Sequence, residues 1–285
     1  LACSAFYGLE GNKLAFNDVP VLPGWGQTFA EGLPHHAKRF FEDGPGTILT
    51  LMDCWVVDPA MIAAQIAQGH AVACWVPVDH EPPPPGVLNF FKKSGAVPIA
   101  MSKFGQEQLA EFDPLYCPHV VDQSVYRPLP KKQSRKDAGL PQDAFVVGVV
   151  GANKGWPSRK CLPEILEAFK AFRAQHSDAI LYLHTEPHGK HDGVNLPLLM
   201  QSLGLADGSV CFVDEYRNNF EPYAPELMAK VFSAMDVLLA PSMGEGFGIP
   251  VLEAGACGTP AIISDFAASP EILGSGWKVE GKKVW

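Results

Sequence analysis

Two glutamates, Glu245 and Glu253, stand with seven residues between them in Pro241-Ser-Met-Gly-Glu-Gly-Phe-Gly-Ile-Pro-Val-Leu-Glu-Ala-Gly-Ala-Cys-Gly-Thr-Pro260. Carboxylates accept hydrogen bonds from vicinal hydroxyls such as a ribose or hexose carries. Gly246 and Gly248 let the backbone come close to a ligand. Pro250 fits the first position of a helix and Gly258 its C-terminal stop. The N–H groups of Gly246, Phe247, Gly248 and Ile249 then open a helix N-terminus, a site for an anion or a polyhydroxyl ligand. Glu253 is expected in the first helical turn and Glu245 at the start of the loop, so both can face one ligand. The plainer alternative leaves Glu253 complementing the helix dipole and Glu245 solvated. The loop glycines, Pro250 and a strand leading in at Asp236–Ala240 agree on the first reading.

A second constellation is Val147-Gly-Val-Val-Gly-Ala-Asn-Lys-Gly-Trp-Pro-Ser-Arg-Lys160. An apolar strand ends in a glycine-containing loop followed by Lys154, Arg159 and Lys160. Cations at a strand's carboxyl end make a local phosphate site; a solvated basic loop is the alternative. The spacing fits neither a Walker loop nor a dinucleotide-binding turn. Asp53, after the strand Thr47–Met52, and Asp79-His80, after Ala71–Val76, are candidates to line a cleft. His80 is read either as a working residue or as a satisfied loop histidine. His184, His188 and His191 could be taken for a metal cluster, but they sit in a polar loop without a pattern favouring zinc. No metal is expected.

Strands buried on both faces must position these groups, because the apolar runs are near-continuous rather than alternating. They are Thr47–Met52, Ala71–Val76, Ala96–Met101, Phe145–Val150, Ala179–His184, Val210–Val213, Asp236–Ala240 and Ala261–Ser264. Between them run helical patterns, as in Pro163–Gln175, where Ile165, Ala168, Phe169 and Phe172 form one stripe. The class is α/β. The basic, proline-bearing stretch Arg127–Lys136 has no apolar period and reads as a linker. It divides an N-terminal domain, 1–128, from a C-terminal one, 129–285. Two such halves would leave a cleft at the carboxyl ends of their strands. The 285 residues and 47% hydrophobic content suit a folded chain of one or two domains. A net charge of −9 argues against non-specific nucleic-acid binding. No apolar run approaches the length of a membrane span, and Leu1-Ala-Cys-Ser-Ala-Phe-Tyr-Gly8 lacks the build of a signal peptide. Seven scattered cysteines read as buried small hydrophobes in a reducing compartment, the cytoplasm by default.

The residues at this point resemble a family. Glu245-Gly-Phe-Gly-Ile-Pro-Val-Leu-Glu253 resembles the E-x7-E signature of retaining glycosyltransferases of family 4 (glycosyl transferases group 1), which have the GT-B fold. Val146–Lys160 with Leu162–Phe169 is similar to the family's phosphate-binding strand, loop and helix. Asp236-Val-Leu-Leu-Ala-Pro-Ser242 and Pro260–Glu271 resemble the strands before and after the signature. Pro98–Phe104, Pro118-His-Val-Val-Asp122 and Tyr126-Arg-Pro128 resemble closing elements of the acceptor-side domain.

The resemblance implies two Rossmann-like domains facing across a cleft, the second binding a nucleoside-diphosphate sugar of the GDP-mannose or UDP-glucose type. Glu253 would hold ribose hydroxyls. Glu245 and the amides of Gly246–Ile249 would hold the sugar and diphosphate. Lys160, with Arg159 or Lys154, would neutralise the leaving group without a metal. The catalytic set is then Glu245, Lys160 and His80, the last matching the place of an active-site histidine, with Asp53, Asp79 and His80 on the acceptor side. The acceptor is a glycan, lipid or small-molecule hydroxyl, in polysaccharide or lipid-linked glycan synthesis. The sugar nucleotide is a co-substrate, and no cofactor is implied. Base selection is placed around Val213–Tyr216. Some relatives dock on membranes, but the short basic stretch of an acidic chain does not indicate it.

Ala267 and Ala268 stand where the family carries glycines, and Val120 replaces another. The family's first strand with its glycine-rich loop, and its terminal helix, are expected to lie outside these residues, so the chain reads as a fragment. Those departures motivate a second reading, a sugar-nucleotide-binding module of the same fold with impaired catalysis. A third is a glycosidase using Glu245 and Glu253 as an acid and nucleophile pair.

Overall fold

A computed structural model describes residues 3–4, 14–16, 18–24, 29–42, 44–205, 208–215 and 224–281. The chain divides into two compact units, Leu1–Pro118 and His119–Trp285.

In the first unit, β1 (Cys3–Ser4), β2 (Leu14–Phe16) and β3 (Val19–Leu22) form a small mixed sheet, and α1 is Phe29–Phe41. A four-stranded parallel sheet follows, in the order β4 (Thr47–Leu51), β5 (Ala71–Val76), β6 (Val97–Ala100), β7 (Leu115–Tyr116). Its crossovers are α2 (Pro59–Ala67), α3 (Pro85–Ser94) and α4 (Lys103–Gln108). Ile62, Val76, Phe91 and Leu109 centre its core. Asp58 starts α2 by accepting the N–H of Ala60 at 2.8 Å, with Pro59 behind it.

The second unit opens with α5 (Lys131–Asp137) and builds a six-stranded, all-parallel sheet. Its strands in chain order are β8 (Phe145–Val150), β9 (Ala179–His184), β10 (Val210–Phe212), β11 (Val237–Ala240), β12 (Ala261–Ser264) and β13 (Gly276–Val279). In space the order is β10-β9-β8-β11-β12-β13. The chain winds outward one way from β8 and then the other way from β11, so the order reverses between these neighbours. Successive residues of one strand enter different cores. Val147, Val149, Leu181 and Leu183 pack with α6 (Leu162–Arg173) and α7 (Leu196–Leu203). Val146, Tyr182, Leu238 and Ile263 pack with α8 (Pro225–Ala234) and α9 (Ile249–Ala256). Coverage on both faces is why these strands read as unbroken apolar runs.

Two expectations are corrected. The stretch 127–136 is not a linker: α5 forms there and packs on α8. Arg135 is 5% exposed, donates Nε to the Ala234 carbonyl at 3.1 Å, and pairs through Nη2 with Asp236 Oδ2 at 2.6 Å. The division accordingly falls after Pro118 rather than Pro128. Residues 119–128 join the second unit, with Tyr126 buried against Phe232. Nor are all cysteines buried: Cys54, Cys74 and Cys257 are, but Cys117 is exposed and Cys161 and Cys211 are half-buried. No helix among the described residues is long and apolar enough to cross a membrane.

Candidate functional site

Open parallel sheets bind ligands outside the carboxyl ends of their strands, where the strand order reverses. In the second unit that point lies beyond β8 and β11, and both constellations singled out in the sequence sit there. Residues 151–161 follow β8 and residues 241–248 follow β11. The two loops are joined by the Met243 N–H donating to the Arg159 carbonyl at 2.9 Å.

Glu245 is the centre of the arrangement. Its side chain is 12% exposed and meets the ammonium of Lys160, itself 19% exposed. Arg159 Nη1 lies 3.3 Å from the other carboxylate oxygen and also donates to the Gly244 carbonyl. Burial pushes the Glu245 carboxyl up, but Lys160, a hydrogen bond from Ser242 and the Arg159 charge outweigh it and hold the group below its ordinary range. Glu245 is therefore an anion wedged between two cations. Arg159 keeps 45% of its side chain in solvent and can take a second anionic partner. Lys154 does not join them: it is exposed, and its backbone bridges His191.

Gly248 caps α9 with φ +98°, and a Cβ there would come within 2.9 Å of Ile272 Cδ1. Glycine is needed for this turn. The N–H groups opening α9 lack intrahelical acceptors, as at every helix start. Phe247 is buried, its ring edge-on to His119 at 5.2 Å between centroids, while Ile249 is partly exposed. Pro250 stands at the second helical position, one later than expected, because the helix begins at Ile249. Glu253 is the fifth helical residue and so lies beyond the first turn. Gly258, at φ +80°, ends the helix as expected: its N–H reaches the Gly255 carbonyl and that of Thr259 the Ala254 carbonyl.

Glu253 sits in different surroundings from Glu245. Burial raises its carboxyl above the ordinary range, and a hydrogen bond from Tyr126 only partly offsets this. Burial and the Glu253 charge in turn push the Tyr126 phenol up. Sequence reasoning quoted Tyr126 without giving it a role; no short-range signal links it to Glu253. The loop after β12 also reaches the site, the Ala268 N–H donating to the Glu245 carbonyl at 3.3 Å. Ala267 there adopts φ +54°, a left-handed conformation that favours glycine, at the place where a family glycine was expected.

In the first unit, Asp53 caps a single 3-10 turn, Cys54–Val56, beyond β4, and Asp79-His80 follows β5. Asp79 Oδ1 lies 2.6 Å from Nδ1 of the exposed His80. The three residues thus belong to the carboxyl-end loops of neighbouring strands. The histidines of the second unit disperse: His184 bonds the Tyr182 hydroxyl, His188 meets Glu215 at 3.2 Å, and His191 bridges Lys154 through backbone. Burial lowers His184 to about 4. Among the described residues no group of three or more His, Cys, Asp or Glu could hold a metal ion. Of the residues named for base selection, Val213 is buried and Tyr216 lies outside the described residues.

Residues 144–284 match the family described as glycosyl transferases group 1. A D-inositol 3-phosphate glycosyltransferase of Stackebrandtia nassauensis is 33% identical over 150 residues, which is 51% of this chain and 32% of that protein. One from Gordonia bronchialis is 30% identical over 150 residues, 51% of this chain and 31% of that protein. The matching region thus spans about a third of the length of these curated relatives. Among solved structures, sucrose-phosphate synthase from Thermosynechococcus elongatus is similar with a TM-score of 0.72 and 19% identity, over 99% of this chain and 75% of that one. Anabaena HepE, in complex with UDP and glucose, gives a TM-score of 0.67 and 16% identity, over 92% of this chain and 73% of that one. The fold is that of GT-B glycosyltransferases.

Proposed function

Through residues 144–284 the chain belongs to the glycosyl transferases group 1 family, and from that premise we propose a retaining hexosyltransferase using a nucleoside-diphosphate sugar. The donor is of the GDP-mannose or UDP-glucose type, and the acceptor is a hydroxyl of a glycan, lipid or small molecule. The observation that carries the proposal is the convergence of Lys160 and Arg159 on Glu245 at the carboxyl ends of β8 and β11.

Glycosyl transfer places negative charge on the departing diphosphate. Fixed cations stabilise that charge without having to reorganise as the bond breaks. Arg159, half in solvent, meets the diphosphate first, and Lys160 turns part of its charge from Glu245 towards it. Glu245 and the amides opening α9 orient the sugar and phosphates, and Glu253 accepts the ribose hydroxyls, best in its ionised form, where both oxygens are free to accept. The leaving phosphate assists attack by the acceptor hydroxyl on the same face, so no side-chain nucleophile is used. His80, with Asp79 fixing its ring, and Asp53 serve the acceptor side.

Calorimetric titration with GDP, UDP and ADP tests the reading. One diphosphate should bind preferentially, and Glu253→Ala should weaken its binding. A folded wild-type chain that binds none of the three refutes it. Ala267, held left-handed in the loop that touches Glu245, favours the second reading, a binding module without turnover; that reading predicts nucleotide affinity with no sugar transfer to any acceptor.

A further inference from the structure

Asn153 is a neutral residue inside the basic loop after β8, yet it is among the most buried polar side chains, at 3% exposure. Both amide protons and the amide oxygen are engaged. Nδ2 donates to the Glu186 carbonyl at 2.9 Å and the Val194 carbonyl at 2.7 Å, while Oδ1 accepts the Val194 N–H at 2.8 Å. All three partners belong to the loop between β9 and α7. That loop is shaped to receive Asn153: at Gly193 a Cβ would fall 2.4 Å from Asn153 Oδ1 and 2.6 Å from its carbonyl oxygen. Backbone bonds flank the contact, from the Gly151 N–H to the His184 carbonyl at 3.3 Å and from the Gly155 N–H to the His191 carbonyl at 3.0 Å. Glu186 closes the β9 loop on itself, accepting the N–H groups of His188, Gly189 and Lys190 at 2.7, 2.7 and 3.0 Å.

The β8 loop is therefore clamped at one end to the β9 loop by Asn153 and at the other to the β11 loop by the Arg159 carbonyl. Arg159 and Lys160 lie next to the second clamp, six and seven positions after Asn153. We propose that Asn153 is a positioning residue for the diphosphate cations, its amide setting the reach of Arg159 and Lys160 by locking their loop to the β9 loop. Only an amide meets the demand. Two acceptor carbonyls and one donor N–H face it, so aspartate would set a carboxylate against two carbonyls, and alanine would strand three partly buried backbone groups. The proposal rests on the donor-site reading above.

Because the cations act on phosphate and not on the nucleoside, their misplacement should be read differently by the two ligands. The test measures Kd for the preferred nucleoside diphosphate among GDP, UDP and ADP, and for its parent nucleoside, on the full chain. Asn153→Ala should weaken the diphosphate about tenfold or more, in line with the cost of small displacements of working groups, and leave the nucleoside unchanged. Asn153→Ser, which keeps one donor, should fall between and gives the same ratio if the alanine variant does not fold. Asn195→Ala, which removes the cap that accepts the Leu198 N–H at 3.0 Å, is the control: it should lower Tm without changing the ratio. If the Asn153 variants lose Tm while both ligands weaken equally, or neither weakens, the residue is only structural and the proposal is overturned. A wild-type chain that binds no nucleoside diphosphate refutes the donor site itself, and the positioning role falls with it.

Discussion

Replacing Lys160 by methionine separates what this lysine does for the fold from what it does for a ligand. Methionine keeps most of the stem and removes the ammonium, so Glu245, 12% exposed, loses its closest cation. Breaking a buried ion pair by deleting one partner costs about 3–5 kcal/mol. Here Arg159 at 3.3 Å and Ser242 remain on the carboxylate, so the cost should fall to about 2–3 kcal/mol, or roughly 5–10 °C in Tm for a unit of this size. On the proposed donor site, losing a charge-assisted contact to the diphosphate should cost about 1.5–3 kcal/mol, roughly 10- to 150-fold in Kd.

The decisive form is a double-variant cycle with Glu245→Gln, read by thermal melts and calorimetry with the preferred nucleoside diphosphate. A neutral residue 245 no longer needs the lysine. Lys160→Met combined with Glu245→Gln should therefore recover most of the Tm lost by Lys160→Met alone, with a coupling of about 1–3 kcal/mol. Diphosphate affinity should stay low, because the ligand's cation is still missing. If the double variant regains affinity together with stability, Lys160 serves only to support Glu245. If Lys160→Met melts with the wild type, the pair is too solvated to matter.

Four further outcomes follow from the same structure. Glu253 has a folded-state pKa raised by burial, so its contribution to stability is full below its unfolded value and lost as pH rises through the folded one. Glu253→Gln should hence melt above wild type at pH 7, converge with it in acid, and bind nucleotide more weakly. Glu245, held below its ordinary range, has the opposite sign: its contribution is present above the unfolded value and fades as pH falls through the folded one, so Glu245→Gln should be destabilising at pH 7. Gly248→Ala forces a side chain into φ +98° and should cost about 1–3 kcal/mol in thermal or denaturant unfolding while weakening diphosphate binding. Arg135→Met should destabilise by about 3 kcal/mol, since it strips Asp236 of a 2.6 Å partner and leaves the Ala234 carbonyl without its donor; a loss under about 0.5 kcal/mol, typical of exposed positions, would mean that α5 is loosely held.

The inner strands of the second unit, β8, β9, β11 and β12, are legible because each is covered on both faces and so advertises itself as an apolar run. β8, β9 and β12 were read with the bounds they have in the structure. β13 was not, since Trp277 and Val279 are exposed and the segment has no buried period. The helix α5 was hidden for a different reason. It holds its place by ion pairs, Lys131 and the buried Arg135 with Asp236 and its own Asp137 with Lys230, whereas charge in sequence ordinarily signals solvent. Tyr126 and Asn153 escaped because their partners, Glu253 and Val194, lie far along the chain and contribute carboxyl or backbone atoms that no local pattern marks.

The same limit applies to the centre of the site. The E245–E253 segment and the Arg159-Lys160 pair were each visible as local motifs, but their meeting is a property of strand order. Eighty-five residues separate Lys160 from Glu245. They come together because β8 is the first strand of the unit and β11 the fourth, and the winding places those two side by side with Val147 opposite Val237. Each strand ends in a loop aimed at the same edge, so a cation motif after one and a carboxylate motif after the other must become neighbours. The Lys154 outcome has the same cause: it precedes the point where the loop turns towards β11, and its backbone is drawn to the β9 side at His191 instead. Motif chemistry therefore nominated the participants, and sheet topology decided which of the three cations reaches the carboxylate.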